Sequence, residues 1–167
     1  MKNLLLGAVL GFCVSSSFAD DANELLRYVD LHGEKFDRLA LDLWDYAELG
    51  YLESRSSTKL QQVLAEDGFE IQSGVGGIPT AFVASFGEGK PVIGILAEFD
   101  ALPGISQAAV PSRQLLKGKE SGHACGHHLF GAGSTAAAIA VRHWMENNNV
   151  KGTLRLYGTP AEEGGSG

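Results

Sequence analysis

The ten residues "PVIGILAEFD", at positions 91–100, decide the fold class of this 167-residue chain. Their nearly continuous apolar run, partly β-branched, predicts a strand that is covered on both faces. The run "TAFVASF" (residues 80–86) lies just upstream, across the turn-like "GEGK", so the two runs are expected to form a hairpin. Asp100 ends the second strand and begins a turn, which places a carboxylate at the strand end.

Helical and strand-like patterns alternate on both sides of these two strands. In chain order we expect helices over 22–48 and 54–68, a strand over 69–72, a helix over 129–145 and a strand over 152–159. The first helix should break at Gly33, and a serine should cap the start of the second. Residues 103–122 indicate a loop. Alternating helices and strands predict an α/β sheet.

The first 19 residues have the pattern of a secretory signal peptide, with Lys2, an apolar run and small residues before a cleavage site after Ala19. An uncleaved anchor is the alternative. Cleavage leaves 12 basic against 20 acidic residues, so the net charge falls from −7 to −8. Such acidity argues against nucleic acid or an anionic membrane as a partner. An exported protein, periplasmic or secreted and without a membrane span after cleavage, is expected.

The stretch "SGHACGHHLFG" (residues 121–131) sets the only cysteine outside the signal peptide among three histidines. Cys125 and His127 are separated by Gly126, which permits a turn, so sulfur and nitrogen can reach one metal ion. Zinc accepts this pair of ligands. Two alternatives stay open: an inert buried cysteine beside surface histidines, or a thiol–imidazole pair in nucleophilic catalysis.

The sequence predicts the roles of the remaining histidines less sharply. His123 is a candidate further ligand, a donor that orients a ligand, or the imidazole partner of the thiol. His128 begins the helix, where it either caps it or faces solvent. His32 and His143 are expected on the surface.

Three acidic residues complete the candidate site. Glu162 and Glu163 are neighbours in "PAEE", so their side chains point in different directions. One carboxylate can then bind a metal while the other removes a proton from water. Asp100 can orient a ligand or base, or simply form a turn. All these residues follow strands or precede a helix, and reactive groups gather at such sheet edges. Solvated carboxylates on a loop remain the alternative for the pair.

Three ordered motifs resemble a known superfamily. "GILAEFDALPG", "GHACGHHLFG" and "GTPAEEGGSG" are similar to motifs of the metal-dependent amidohydrolases related to acetylornithine deacetylase and carboxypeptidase G. "LWDYAELGYLESRSS" and "GGIPTAFVASFG" strengthen the likeness to the aminobenzoyl-glutamate hydrolase type. The resemblance implies a zinc-exopeptidase-like α/β domain with a mixed sheet flanked by helices. Residues 20–167 would be its N-terminal part, truncated before the lid or dimerisation domain and the C-terminal part.

The resemblance also implies a site and a reaction. Cys125, His127 and Glu163 match metal ligands, Glu162 matches the general base, and Asp100 matches an aspartate near the metals. Two divalent ions, zinc or manganese, would support hydrolysis of N-acyl amino acids or dipeptides by activated water, in a homo- or hetero-oligomer. His128 stands where relatives have Asn or Asp.

Family members are longer and carry further histidine ligands, so the 167-residue chain alone is expected to be inactive. A non-catalytic metal-binding or assembly subunit completed by a partner chain is one alternative. A cysteine-dependent hydrolase is the other.

Overall fold

The computed structural model describes residues 10–165, with side chains described from residue 20 onward. Residues 1–9 of the predicted signal peptide lie outside this range, and residues 10–19 form the first part of a helix. The elements, in chain order, are α1 (Leu10–Leu31), α2 (Gly33–Tyr46), α3 (Ser54–Glu66), β1 (Glu70–Ser73), a 3₁₀ turn (Val75–Gly77), β2 (Phe82–Glu88), β3 (Val92–Glu98), β4 (Leu102–Pro103), β5 (Ser121–Gly122), α4 (His127–Asn147) and β6 (Gly152–Thr159).

The main sheet is mixed, as the family resemblance implied, and its strands lie in the order β1-β2-β6-β3. β6 pairs antiparallel with β2 and parallel with β3. The predicted hairpin of β2 and β3 is therefore wrong, because β6 lies between the two strands. The start of β6 also binds the turn that connects β2 to β3. Thr153 donates its N–H to Pro91 O and its hydroxyl to Gly89 O, both at 2.8 Å. These partners are separated by about 60 residues of chain, beyond the reach of a local turn pattern.

The core lies between the sheet and the helices. α4 packs across β3 and β6, α3 packs on β1 and β2, and α1 and α2 pack on α4. On β6, buried Leu154 and Leu156 alternate with exposed Arg155, so one face of the strand meets the helices. This burial of alternate residues orients the sheet and fixes its register.

β3 differs from the prediction of a strand covered on both faces. Val92, Ile93 and Leu96 are 50%, 55% and 54% exposed. The reason is position: β3 is an edge strand of the described sheet, and Val92 and Leu96 pair with Thr153 and Tyr157, on the face opposite Leu154 and Leu156.

The helix boundaries and caps differ in detail from those that the sequence predicts. The break predicted at Gly33 occurs at His32, and α1 begins at Leu10. The serine cap on α3 is wrong: Glu53 occupies the N-cap position, and the Glu48 carboxylate accepts N–H bonds from the first turn. A carboxylate binds two N–H groups at once and complements the positive helix end, which explains why it replaces the serine.

The sheet brings the ends of two strands together. β3 and β6 are parallel, with Glu98 opposite Thr159, so both carboxyl ends meet at one edge. α4 begins at this edge and approaches β3 closely at Gly131, where a Cβ would lie 2.9 Å from the Glu98 carbonyl oxygen. None of the helices within residues 10–165 combines the length and apolar character that a membrane crossing requires.

The close approach at Gly131 is testable. Gly131→Ala should lower the free energy of unfolding by about 1–3 kcal/mol, because the new methyl group overpacks the α4–β3 contact. Gly133→Ala is the matched control on the same helix, since a Cβ there meets open space. It should raise stability by about 0.5–1 kcal/mol. Urea unfolding followed by circular dichroism measures both, and equal gains from the two variants would contradict the contact.

Candidate metal and catalytic site

Every residue predicted for the site lies at the sheet edge where β3 and β6 end. Asp100 follows β3, Glu162 and Glu163 follow β6, and Cys125 and His127 lie at the start of α4. Gly126, with φ +100°, makes the turn between the cysteine and the histidine. Residues far apart in sequence are thus brought together, as the strand-end argument predicted.

His127 stands at the centre of this cluster. Its ring is buried, and Nδ1 lies 2.9 Å from Asp100 Oδ1. An ionised carboxylate only accepts hydrogen bonds, so Nδ1 carries a hydrogen and Nε2 is left as the atom that can bind a metal. Nε2 lies 3.0 Å from Glu98 Oε2, 3.8 Å from Glu162 Oε2 and 3.9 Å from Glu163 Oε1.

Asp100 connects two parts of the site. It is 2% exposed, and its second oxygen, Oδ2, accepts the N–H of Glu163 at 2.9 Å. One buried carboxylate therefore orients the imidazole of His127 and holds the backbone of the acidic pair. This geometry favours the orienting role over a simple turn residue.

Two overlapping groups of donor atoms are arranged as a metal ion would need. Cys125, His127 and Glu163 form one group, and Glu98, His127 and Glu162 form the other; within each group the donor atoms lie within 4.8 Å of one another. The first group is the ligand set implied by the sequence motifs. Glu98 has no role in the sequence-based prediction, although its spacing of two from Asp100 along an extended chain is a usable signal.

The electrostatics of the cluster favour a cation. Burial raises the pKa of Glu98, the His127 ring opposes this shift, and the carboxylates of Glu162, Asp100 and Glu163 add to it. Glu163 Oε1 is buried and has no hydrogen-bond partner among the described residues. A thiol, an imidazole nitrogen and carboxylates form a donor set that suits zinc or another borderline-soft divalent ion.

The geometry opposes both alternatives for the cysteine. Cys125 is exposed, so it is not an inert buried thiol. A hydrogen bond to Glu163, followed by desolvation and the nearby carboxylates, raises the pKa of the thiol. Neither imidazole candidate makes a hydrogen bond to the thiol among the described residues: His123 Nε2 lies 3.0 Å from Leu43 O, and the two ring nitrogens of His127 lie 2.9 Å from Asp100 and 3.0 Å from Glu98.

The other histidines lie outside the two groups of donor atoms. His123 is buried, and the half-buried ring of His128 meets Trp44 edge-on at 4.7 Å. Desolvation, reinforced by His123, lowers the pKa of His128 to about 4. The expected cap or solvent position of His128 is thus wrong, because Trp44 of α2 covers the ring. His32 is exposed as predicted, whereas His143 is half-buried against Tyr28.

Comparison with known proteins bears on this site. Residues 94–167 match peptidase family M20/M25/M40. This match spans 74 of the 167 residues, so the segment that carries the site resembles this family. The matched segment contains all six residues of the cluster: Glu98, Asp100, Cys125, His127, Glu162 and Glu163.

Several family relatives are similar over most of the chain. One of the subunits of the p-aminobenzoyl-glutamate hydrolase of Escherichia coli is 45% identical over 90% of this chain. The hippurate hydrolase of Campylobacter jejuni is 31% identical over 85%. A crystal structure of a dinuclear metal-binding M20 peptidase from Bacillus subtilis superimposes with a TM-score of 0.62, at 31% identity over 80% of this chain.

The chain spans about a third of the length of these relatives. It covers 30% of the Escherichia coli protein, 35% of the Campylobacter jejuni protein and 36% of the Bacillus subtilis structure.

The double role of Asp100 yields a prediction. In Asp100→Asn, the single amide oxygen can serve either His127 or the Glu163 N–H, so one of these bonds is lost. We expect the neutral His127 ring to shift toward the tautomer with hydrogen on Nε2, or the Glu163 amide to exchange faster. Imidazole ¹⁵N shifts and amide hydrogen exchange report the two outcomes, with His123 as an internal control ring. Unchanged shifts and exchange at both residues would show that Asp100 does not connect them.

Proposed function

We propose that this chain contributes part of the catalytic centre of a metal-dependent amidohydrolase. The substrates are N-acyl amino acids or related dipeptides, with p-aminobenzoyl-glutamate as the first candidate because of the Escherichia coli relative. The observation that carries the proposal is the convergence of Cys125, His127 and Glu163 on one point, beside a second carboxylate, Glu162.

Two divalent ions, zinc or manganese, are the proposed cofactors. Cys125, His127 Nε2 and Glu163 would hold one, and Glu98 offers a carboxylate toward another. A bound divalent ion supplies Lewis acidity, which polarises an amide carbonyl and eases removal of a proton from water.

The two neighbouring glutamates differ in a way that suits different roles. Asp100 holds the backbone of Glu163, and the Glu163 side chain is 20% exposed. The Glu162 side chain is 52% exposed and reaches within 3.8 Å of His127 Nε2. Glu162 can therefore accept a proton from the attacking water on a carboxylate oxygen and return it to the nitrogen of the leaving amine. Glu163, whose backbone Asp100 holds, is better suited to bind a metal ion.

A second candidate is a non-catalytic metal-binding subunit that another chain completes. It is favoured by one observation: the two donor groups share a single nitrogen, His127 Nε2, because Nδ1 is bonded to Asp100. A second ion would then need a ligand from elsewhere in the protein or from a partner. Hydrolysis that appears only after a second polypeptide is added, and that Glu162→Gln leaves unchanged, would support this candidate.

The metal site is tested with Co²⁺ and the full chain. Wild-type protein should show thiolate-to-cobalt absorption in the near ultraviolet. Cys125→Ser should abolish this absorption and weaken Co²⁺ binding by at least about tenfold, a loss typical even of residues outside the ligand set. Cys13→Ser, which removes the other cysteine of the sequence, is the control and should bind as wild type. Equal binding by Cys125→Ser would exclude the sulfur as a ligand.

The catalytic role of Glu162 is tested by hydrolysis of p-aminobenzoyl-glutamate. The assay uses the chain, any in-frame continuation of its gene, and a mixture with a partner chain. Glu162→Gln should lower kcat by about 10²–10⁴-fold, the usual contribution of a general base, while Co²⁺ affinity changes little. Glu163→Gln should weaken Co²⁺ binding as well. Absence of hydrolysis in every form, or full activity of Glu162→Gln, would refute the catalytic proposal.

A further inference from the structure

Two buried carboxylates anchor the loop that carries Glu162 and Glu163. The first is Asp100, which binds the N–H of Glu163. The second is Glu53, just before α3, whose Oε1 accepts the N–H of Ala161 at 2.8 Å. Glu53 lies 108 positions away from Ala161 in sequence, and it does not belong to the cluster around His127.

Glu53 is held by hydrogen bonds rather than by a countercharge. Its side chain is fully buried, and Oε2 accepts the hydroxyl hydrogen of Thr80 at 3.0 Å. The Thr80 carbonyl in turn accepts the Ser57 hydroxyl at 2.7 Å. The ion pairs of the described residues do not include Glu53. Burial raises the pKa of Glu53, so its ionised form is not favoured by its surroundings.

Two residues with left-handed backbone lie next to Glu53: Tyr51, two positions earlier in the chain, and Ala161, whose N–H it binds. Ala161 has φ +59° and Tyr51 has φ +66°, values that residues with a Cβ rarely adopt. Ala161 is also 1% exposed and packs tightly on Gly50, where a Cβ would lie 2.9 Å from Ala161 Cβ. Such outliers persist only when their surroundings hold them, and they cluster at functional sites.

The position of this turn matters because it immediately precedes the acidic pair. If Ala161 relaxed to an ordinary right-handed φ, the chain after it would change direction, and both carboxylates would move away from His127. We propose that Glu53 is a positioning residue, whose buried carboxylate holds the left-handed turn at Ala161 and so sets where Glu162 and Glu163 stand. The consequence for metal binding rests on the proposed function, whereas the consequence for the loop does not.

Glu48 provides a matched control. It lies in the same connection between α2 and α3, and its carboxylate accepts the N–H groups of Arg55 and Ser56 at 3.0 Å and 2.8 Å. Loss of Glu48 should therefore destabilise the start of α3 without acting on the acidic loop. If Glu53 served only to stabilise the fold, replacing Glu53 or Glu48 would have the same effect on Co²⁺ affinity.

The experiment compares Glu53→Met and Glu48→Met in the full chain, with two readouts. Met has a similar length but cannot accept a strong hydrogen bond from an N–H group. In Glu53→Met, amides 161–165 should exchange faster, and Co²⁺ affinity should fall about 10- to 100-fold, the scale for residues that orient ligands. Glu53→Gln keeps one acceptor oxygen and should lose less. Glu48→Met should lower the urea midpoint but keep Co²⁺ affinity within about twofold of wild type.

A rescue variant sharpens the test. Glycine adopts left-handed φ without a steric penalty, so Ala161→Gly should make the turn less dependent on Glu53. Added to Glu53→Met, it should recover several-fold of the lost Co²⁺ affinity. If Glu53→Met does not fold, Glu53→Gln with and without Ala161→Gly gives the same comparison.

The outcomes separate the two proposals. Unchanged exchange at amides 161–165 in the Glu53 variants, or an equal loss of Co²⁺ affinity in Glu48→Met, overturns the positioning role. A folded wild-type chain that binds no Co²⁺ overturns the proposed function, but faster exchange confined to amides 161–165 in Glu53→Met still supports Glu53 as the anchor of the loop.

Discussion

The parallel pairing of β3 with β6 is the constraint on which the site depends. Glu98 lies opposite Thr159, so the two strands end side by side and their following residues emerge at one edge. The start of α4 reaches the same edge because Gly131 lets the helix backbone approach β3. A shift of one residue in this register would turn the buried Leu154 and Leu156 outward, so the hydrophobic core itself protects the alignment of the site.

The edge concentrates negative charge around one imidazole. Four carboxylates surround His127, and Asp100 is the one whose two oxygens are both bonded to fixed donors. The others keep oxygens directed at the ring nitrogen Nε2 or without a partner among the described residues, and burial raises the pKa of Glu98. A cation would offset the repulsion among these carboxylates, and this supports the proposed ligand roles.

The backbone of the loop that carries Glu162 and Glu163 is held by two hydrogen bonds to buried carboxylates. Glu53 and Asp100 bind the N–H groups of Ala161 and Glu163, two residues apart, and so leave the intervening Glu162 side chain free to reach into the site. This combination of a fixed main chain and one exposed carboxylate matches the division between ligation and proton transfer in the proposed reaction.

Much of the local structure was predictable, because hydrophobic periodicity and the strand-end rule depend on short-range patterns. The amino-acid sequence by itself determined the strand at 152–159, the long helix after "CGH", the α/β class and five residues of the cluster. The insertion of β6 between β2 and β3, the exposed faces of β3, and the roles of Glu48 and Glu53 were decided only by the tertiary structure. Each of these features depends on partners many residues away along the chain, and hydrogen bonds between such distant groups leave no periodic trace in the sequence.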